Sequence, residues 1–567
     1  MKTAVNKMHE NKEHGNKGHE NIGHENIGHG NIGMGRVLPD RVYAILAMLL
    51  SVCFLPVLIC VVFVGTHMDY WEAVKVSTRL PNPVLLVIAL LGMAVCVFLF
   101  RKYSHIRFSV MGNRIANGVL FCLFFLLFLI NIQVAKEIAF HLPTDYMMVS
   151  GVAYKVAKEE PVGPLYYLSM YPNNIPISYI LGKLYQKVSE WKDYPYIYEF
   201  FWLQVNCALI STAGFFSCLT VKKLTGKLMP VAAAFGLYLI LGGISPWKIA
   251  AYTDTYSMVF PVLCVYFYLC YRDAGHLWSK YICLLLSVAA GMTGGFIKPS
   301  VYVVIIALLG WELIRFLSDP RQHWKFLLPA ILMTLTFAWG TDAYNDHLIN
   351  QIGLEFNKEL AAGWQQYFLM GLNEETTGAY YSEDALFGQF QDSRSDRIQE
   401  ELHRAAGRLK DRGFWGSIWF YLRKMVMTFN DGTFGWNMEI YIYDRYPDNM
   451  ASNTALTQRL RSIFWRNDMN YDVGGYHTLC QLVWIFSLLG IPGICLCRDH
   501  TRDRYGILLV CFLGIFFYQM LFEARARYLF CFLPLILPIA VCGIQQYTDL
   551  LAHLRSAKQE QADTRAA

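Results

Sequence analysis

The stretch LFEARARYLF, residues 521–530, places Glu523, Arg525 and Arg527 between two long apolar runs. Guanidinium groups hold phosphate oxygens in bidentate hydrogen bonds, so two arginines at this spacing offer an anion site. Glu523 and Arg527 also stand at i and i+4, where a local ion pair would form if a helix continues through them. Lys298, in GGFIKPSVY, is a further isolated cation; Pro299 breaks the helix there, and Gly294 and Gly295 permit close packing. Its plainer reading is a lysine snorkelling to the interface. Asp254, in AAYTDTYSM, and Asp145, in HLPTDYMMVS, are carboxylates that could do acid–base work or merely cap the helices that follow them. Asp145 ranks first as a base, although with Thr144 it could equally cap a helix beginning at Tyr146.

The elements that must position these residues are membrane helices. The chain has 567 residues, 55% hydrophobic and 16% charged, which excludes an ordinary soluble enzyme. Apolar runs long enough to cross roughly 30 Å of hydrocarbon recur about twelve times. They fall near 42–65, 83–100, 115–134, 197–220, 228–243, 255–271, 280–297, 300–317, 325–341, 476–497, 504–522 and 528–546. The expected fold is therefore an all-α polytopic membrane protein with two extracytoplasmic segments, 135–196 and 342–475. The first span follows a largely polar stretch of 41 residues without a small-residue cleavage site and is expected to remain in the chain.

Short-loop charges set the expected orientation. Arg101, Lys102, Arg107 and Arg114, then Lys222, Lys223 and Lys227, Arg315, Arg321 and Lys325, and Arg498, Arg502 and Arg504 all share one side if both termini are cytoplasmic. Asp145, Asp254, Lys298, Glu523, Arg525 and Arg527 then share the other. Charges as dense as those of FEARAR would roughly cancel the insertion energy of a span, so they should lie at a helix turn. That turn is outside, where cationic residues run against the positive-inside trend.

The remaining sequence narrows the function. Residues 9–33 form a pentad repeat whose His14, His19, His24 and His29 could bind metal, though a low-complexity tail is the simpler reading. The net charge of +6 is accounted for by cytoplasmic loops, and no nucleic-acid partner is called for. All fifteen cysteines fall in or beside apolar spans, so the outer segments have no disulfide framework. A phosphate-binding GxxxxGKS/T loop is missing from the sequence. Residues 413–430, GFWGSIWFYLRKMVMTFN, suit a helix at the membrane interface, with Trp415, Trp419 and Phe420 beside Arg423 and Lys424.

Taken in order, the outer-loop Asp145, the segment YPNNIPISYILGKLY containing Tyr171, FIKPS at a helix break and EARARYLFCFLPLILP resemble the membrane-embedded glycosyltransferases of the GT-C fold. The nearest branch comprises the bacterial relatives of the protein O-mannosyltransferases and the lipid A aminoarabinose transferase. The resemblance spans about residues 115–546 and makes 42–114 two additional N-terminal spans, 476–546 the C-terminal spans and 547–567 a second cytoplasmic tail. It implies a plasma-membrane, bacterial enzyme that takes a sugar from a polyprenyl phosphate and passes it, with inversion, to a hydroxyl on an envelope glycan, lipid or protein. Asp145 would be the base. Lys298, Arg525 and Arg527 would bind the donor phosphate, supported by Asp254, Glu523 and Tyr171. The eukaryotic members place a glutamate after their aspartate where this chain has Tyr146, and bacterial ones read Tyr-Pro-Pro where this chain has Tyr171, Pro172 and Asn173. No cofactor is required; a divalent cation is compatible, without an evident ligand cluster.

Two other classes suit the same composition. A lipid-linked glycan transporter or flippase would show a twofold repeat, which the asymmetric placement of 342–475 does not favour. An envelope polysaccharide polymerase or ligase would carry its arginines in a large late loop.

Overall fold

A computed structural model describes residues 34–64, 78–139, 142, 144–189, 198–387, 393–436, 454–464 and 473–566. The histidine repeat lies outside the described residues. Among them the chain is helical, with strand-like pairing confined to two isolated bridges, Arg107 with Lys227 and Gly163 with Leu354.

Ten helices among the described residues are long and apolar enough to cross a membrane. They are Leu38–Phe63, Asn82–Lys102, Val110–Ile138, Phe200–Thr225, Leu277–Ile297, Pro299–Ser318, Pro320–Gln351, Gly474–Leu496, Thr501–Leu521 and Ala526–Gln561. The chain is thus an all-helical multi-pass membrane protein, with ten candidate spans among the described residues against the expected twelve or so. The other two expected spans are helical but short. Leu228–Tyr238 passes into a π turn at Leu239–Gly243, and Val259–Asp273 has 15 residues. At 1.5 Å per residue the latter covers about 22 Å. Both are largely enclosed by other helices, and burial in protein selects the same apolar residues as burial in lipid.

The last helix is the axis of the bundle: 94% of the apolar window in Ala526–Gln561 is buried, against 11% in Pro320–Gln351. That difference places Pro320–Gln351 on the periphery. Its far end joins the 144–189 segment through an apolar cluster of Val152, Val156, Leu168, Ile175, Leu348 and Ile352. The backbone seals this joint, Val162 N–H donating to Ile352 O at 2.9 Å and Gly163 N–H to Gly353 O at 2.9 Å. The expected helices of the first non-membrane segment are Asp145–Ala157 and Ile175–Ser189.

The two ends of the bundle have different chemistry. At one end, Arg272 pairs with Asp503 at 2.5 Å, Arg315 with Glu312 at 2.7 Å and Lys223 with Asp273 at 3.0 Å. The opposite ends of these helices converge on Asp254, Lys298 and the 522–527 turn. There the candidate chemistry collects.

Candidate functional site

Leu277–Ile297 ends at Lys298, whose extended backbone (φ −139°, ψ 107°) leads into a 3-10 turn, Pro299–Val301. The break is tightly packed: a Cβ on Gly295 would lie 2.2 Å from the Tyr302 ring. Lys298 consequently points inward. Its Nζ lies 2.9 Å from Asp254 Oδ1 and 4.7 Å from the centre of the Tyr528 ring, and its side chain is 12% exposed. This corrects the snorkelling alternative, since the ammonium has an internal carboxylate to meet.

Asp254 sits inside the single turn Thr253–Tyr256, after Tyr252 at the N-cap, so it is not that helix's cap. It is 1% exposed and lies between two cations, with Oδ2 3.4 Å from Arg527 Nε. Burial pushes its carboxyl upward, but Lys298 and Arg527 outweigh that cost and hold it below the usual carboxylate range.

The long helix that precedes Arg525 and Arg527, Asp499–Leu521, stops at Leu521. The backbone is extended at Phe522 (φ −100°, ψ 177°) and Arg525 (φ −161°, ψ 167°), then tightens into the 3-10 segment Ala526–Phe532. The helical register needed for a Glu523–Arg527 i, i+4 brace is therefore missing. Glu523 accepts a hydrogen bond from Tyr528 Oη at 2.5 Å, while Arg527 Nη1 donates to Tyr146 Oη at 3.1 Å. Arg527 and Glu523 are buried, whereas Arg525 is partly exposed with its guanidinium 5.5 Å from the centre of the Tyr528 ring.

Asp145 is the first residue of its helix, and Thr144 before it makes no side-chain capping bond. The plainer alternative, that Thr144 or Asp145 caps a helix starting at Tyr146, differs from the structure, where the helix starts at Asp145 itself with Thr144 at the N-cap. Asp145 is half-buried, and the phenols of Tyr167 and Tyr171 bear on it. Burial pushes both phenols above their ordinary range, and the Asp145 carboxylate adds to the shift, so both are neutral donors near pH 7. Tyr146, adjacent to Asp145, packs edge-to-face on Tyr252 with ring centres 5.2 Å apart. Its bond to Arg527 links the acid loop to the arginine turn.

Asp254 therefore touches both Lys298 and Arg527. Tyr528 joins Glu523 and Arg525 to them, and the Tyr146, Tyr167 and Tyr252 group joins Asp145 and Tyr171. Tyr171 was singled out in the sequence, but the roles of Tyr146, Tyr167, Tyr252 and Tyr528 were missed, although three of these stand in the charged motifs TDY, AAYTDTY and ARARY. Among the described residues no group of three or more His, Cys, Asp or Glu side chains is placed to hold a metal ion.

The family described as conserved hypothetical integral membrane protein (CHIM_prot) matches residues 41–548. The chain belongs to this family. The match takes in every residue of the cluster, from Asp145 to Tyr528. No curated protein and no solved structure matches significantly. Membership in the conserved hypothetical integral membrane protein family makes the bilayer this chain's medium and leaves its chemistry to be argued from the cluster.

Proposed function

We propose that the chain is a membrane glycosyltransferase that moves a sugar from a polyprenyl-phosphate donor to an acceptor hydroxyl on the extracytoplasmic face. The observation that carries this reading is the meeting of Asp145, Asp254, Lys298, Glu523, Arg525 and Arg527, drawn from four separate parts of the chain, in one tyrosine-lined cluster at one end of the bundle. A leaving lipid phosphate is a stable anion, so it requires cations rather than a second carboxylic acid to protonate it. Lys298 and Arg525 are partly exposed and would meet its oxygens. Arg527 is buried and would brace Asp254 and Tyr146 behind them.

In this mechanism Asp145 accepts the acceptor hydroxyl proton as the acceptor oxygen attacks the anomeric carbon. The bond from that carbon to the phosphate oxygen breaks, its electron pair stays with the polyprenyl phosphate, and configuration inverts. Tyr167 holds the Asp145 carboxylate through its phenol, and Tyr171 packs beside Tyr167. The deciding experiment compares envelope glycans from a strain lacking the gene with those from one carrying Asp145→Asn. Loss of the same sugar from both is expected; a normal glycan in the Asp145→Asn strain would overturn the assignment.

A further inference from the structure

Lys424 lies in the 414–429 part of Arg394–Phe429, which is broken at Gly413 (φ 64°, ψ −176°); it is outside the cluster described above and is fully buried. The composition of residues 413–430 suits an interfacial helix, with Lys424 among its basic residues. Phe420, Lys424 and Thr428 share one stripe at i, i+4 and i+8, and all three have no exposed surface. A buried lysine needs compensation for lost hydration.

That compensation comes from three main-chain carbonyls. Lys424 Nζ donates to Gly371 O at 2.7 Å, Met520 O at 3.0 Å and Phe522 O at 2.6 Å. An ammonium has three protons, so each donor is used. The acceptors belong to the C-terminal ends of two different helices, Trp364–Gly371 and Asp499–Leu521, where carbonyls lack intrahelical partners and the helix dipole is negative. One side chain thus caps both helices and ties their ends together.

The surrounding contacts repeat this connection. Glu523 N–H donates to Tyr367 O at 2.9 Å, and Ala524 N–H to Gly378 O at 3.0 Å. Gly378 has φ +81°, and a Cβ there would lie 2.7 Å from Lys424 Cδ and Cε, so the 378 backbone can close over the lysine only as glycine. Arg408 and Arg412 bond two further carbonyls at the end of the shorter helix, Leu369 O (2.7 Å) and Leu372 O (2.8 Å). These bonds fasten the 364–378 segment to the chain immediately before Arg525 and Arg527.

We infer that Lys424 is the positioning residue of the arginine turn: by capping two helix ends at once, it fixes where residues 522–527 leave the membrane helix and hence where Arg525 and Arg527 stand. The turn's phosphate-binding role rests on the function proposed above, whereas its placement does not.

The test uses the full chain in nanodiscs, with Lys424→Met and Gly378→Ala striking the same clasp from opposite sides. Amide exchange should accelerate about tenfold or more at Glu523 and Ala524, the scale of a lost charged hydrogen bond, while protection within the spans is retained. Lys424→Arg should restore part of that protection, because a guanidinium can also reach carbonyl acceptors from a cationic head. Undecaprenyl phosphate is the binding probe; its affinity should fall in Lys424→Met. Unchanged exchange at these amides, or equal loss of protection throughout the bundle in both variants, would overturn the inference. If the local exchange change occurs but undecaprenyl phosphate binds neither wild type nor variant, the positioning role stands and the glycosyltransferase reading falls. If wild type binds the lipid and exchange at the turn is unmoved by both variants, the reverse holds.

Discussion

Asp254 lies 2.9 Å from Lys298, although each residue comes from its own helix end and both are largely withdrawn from water. The pair is half of a three-charge contact, because the second oxygen of Asp254 faces Arg527. Removing the carboxylate would leave two cations without it in a low-dielectric setting. Asp254→Asn should therefore destabilise the fold by about 3 kcal/mol or more, the usual cost of breaking a buried pair from one side. Thermal unfolding in detergent measures this, and Asp254→Asn combined with Lys298→Met should recover part of the loss. An Asp254→Asn protein as stable as wild type would show that the charges are solvated.

Asp145 should behave in the opposite way. It is half-buried and is the first residue of its helix, after Thr144 at the N-cap. Asp145→Asn should leave the unfolding temperature nearly unchanged, since the lost helix-dipole interaction is worth only about 0.3–1 kcal/mol. Transfer from a polyprenyl-phosphate sugar should nevertheless drop at least about a hundredfold, the lower range for removal of a general base. Residual transfer near wild-type rate would exclude Asp145 as the base.

How far these residues were legible in the sequence follows from the physics of each signal. Ten spans stood out because crossing lipid requires a run of fixed length, while Val259–Asp273 looked like another because enclosure by protein demands the same apolarity. Insertion cost placed Glu523, Arg525 and Arg527 at a helix end, and that end is where they lie. Which charge meets which depends on backbone angles that composition does not encode: with extended residues after Leu521, Glu523–Tyr528 and Arg527–Asp254 contacts form where a continued helix would have offered a Glu523–Arg527 brace. Lys424 was misplaced for a related reason. Its position in the Phe420–Thr428 stripe was a readable sign of burial, but its acceptors lie in segments distant along the chain.

Lys424 also supplies a pH prediction. Burial pushes its ammonium from the ordinary 10.5 down to about 7, with Glu523 opposing the shift and Arg412 adding to it. An opened clasp exposes the lysine and returns it toward 10.5, so between about pH 7 and 10.5 the open form holds more protons than the closed one. Rising pH through that window should thus disfavour opening, and below about 7 this contribution should level off. Amide exchange at Glu523 and Ala524, corrected for the intrinsic rate, reads the effect. Lys424→Met should abolish the slope; a slope that persists in that variant would assign the titration to another group.

Arg525 and Arg527 offer the sharpest separation between holding the fold and holding a ligand. Arg527 is 6% exposed and bonds Tyr146 while facing Asp254, so Arg527→Ala should cost stability on the scale of a buried charged contact, about 3–5 kcal/mol. Arg525 is partly exposed beside Tyr528, and Arg525→Glu should change the unfolding temperature little while weakening undecaprenyl-phosphate binding. Reversal of one contact charge places like charges together, and a loss of about tenfold to a hundredfold in affinity is expected. Raising salt should shrink the difference between wild type and Arg525→Glu, because a partly exposed cation is screened more effectively than a buried one. Equal affinity in the two proteins at low salt would remove Arg525 from the phosphate site, and a matched fall in stability for both arginine variants would make the turn a structural brace alone.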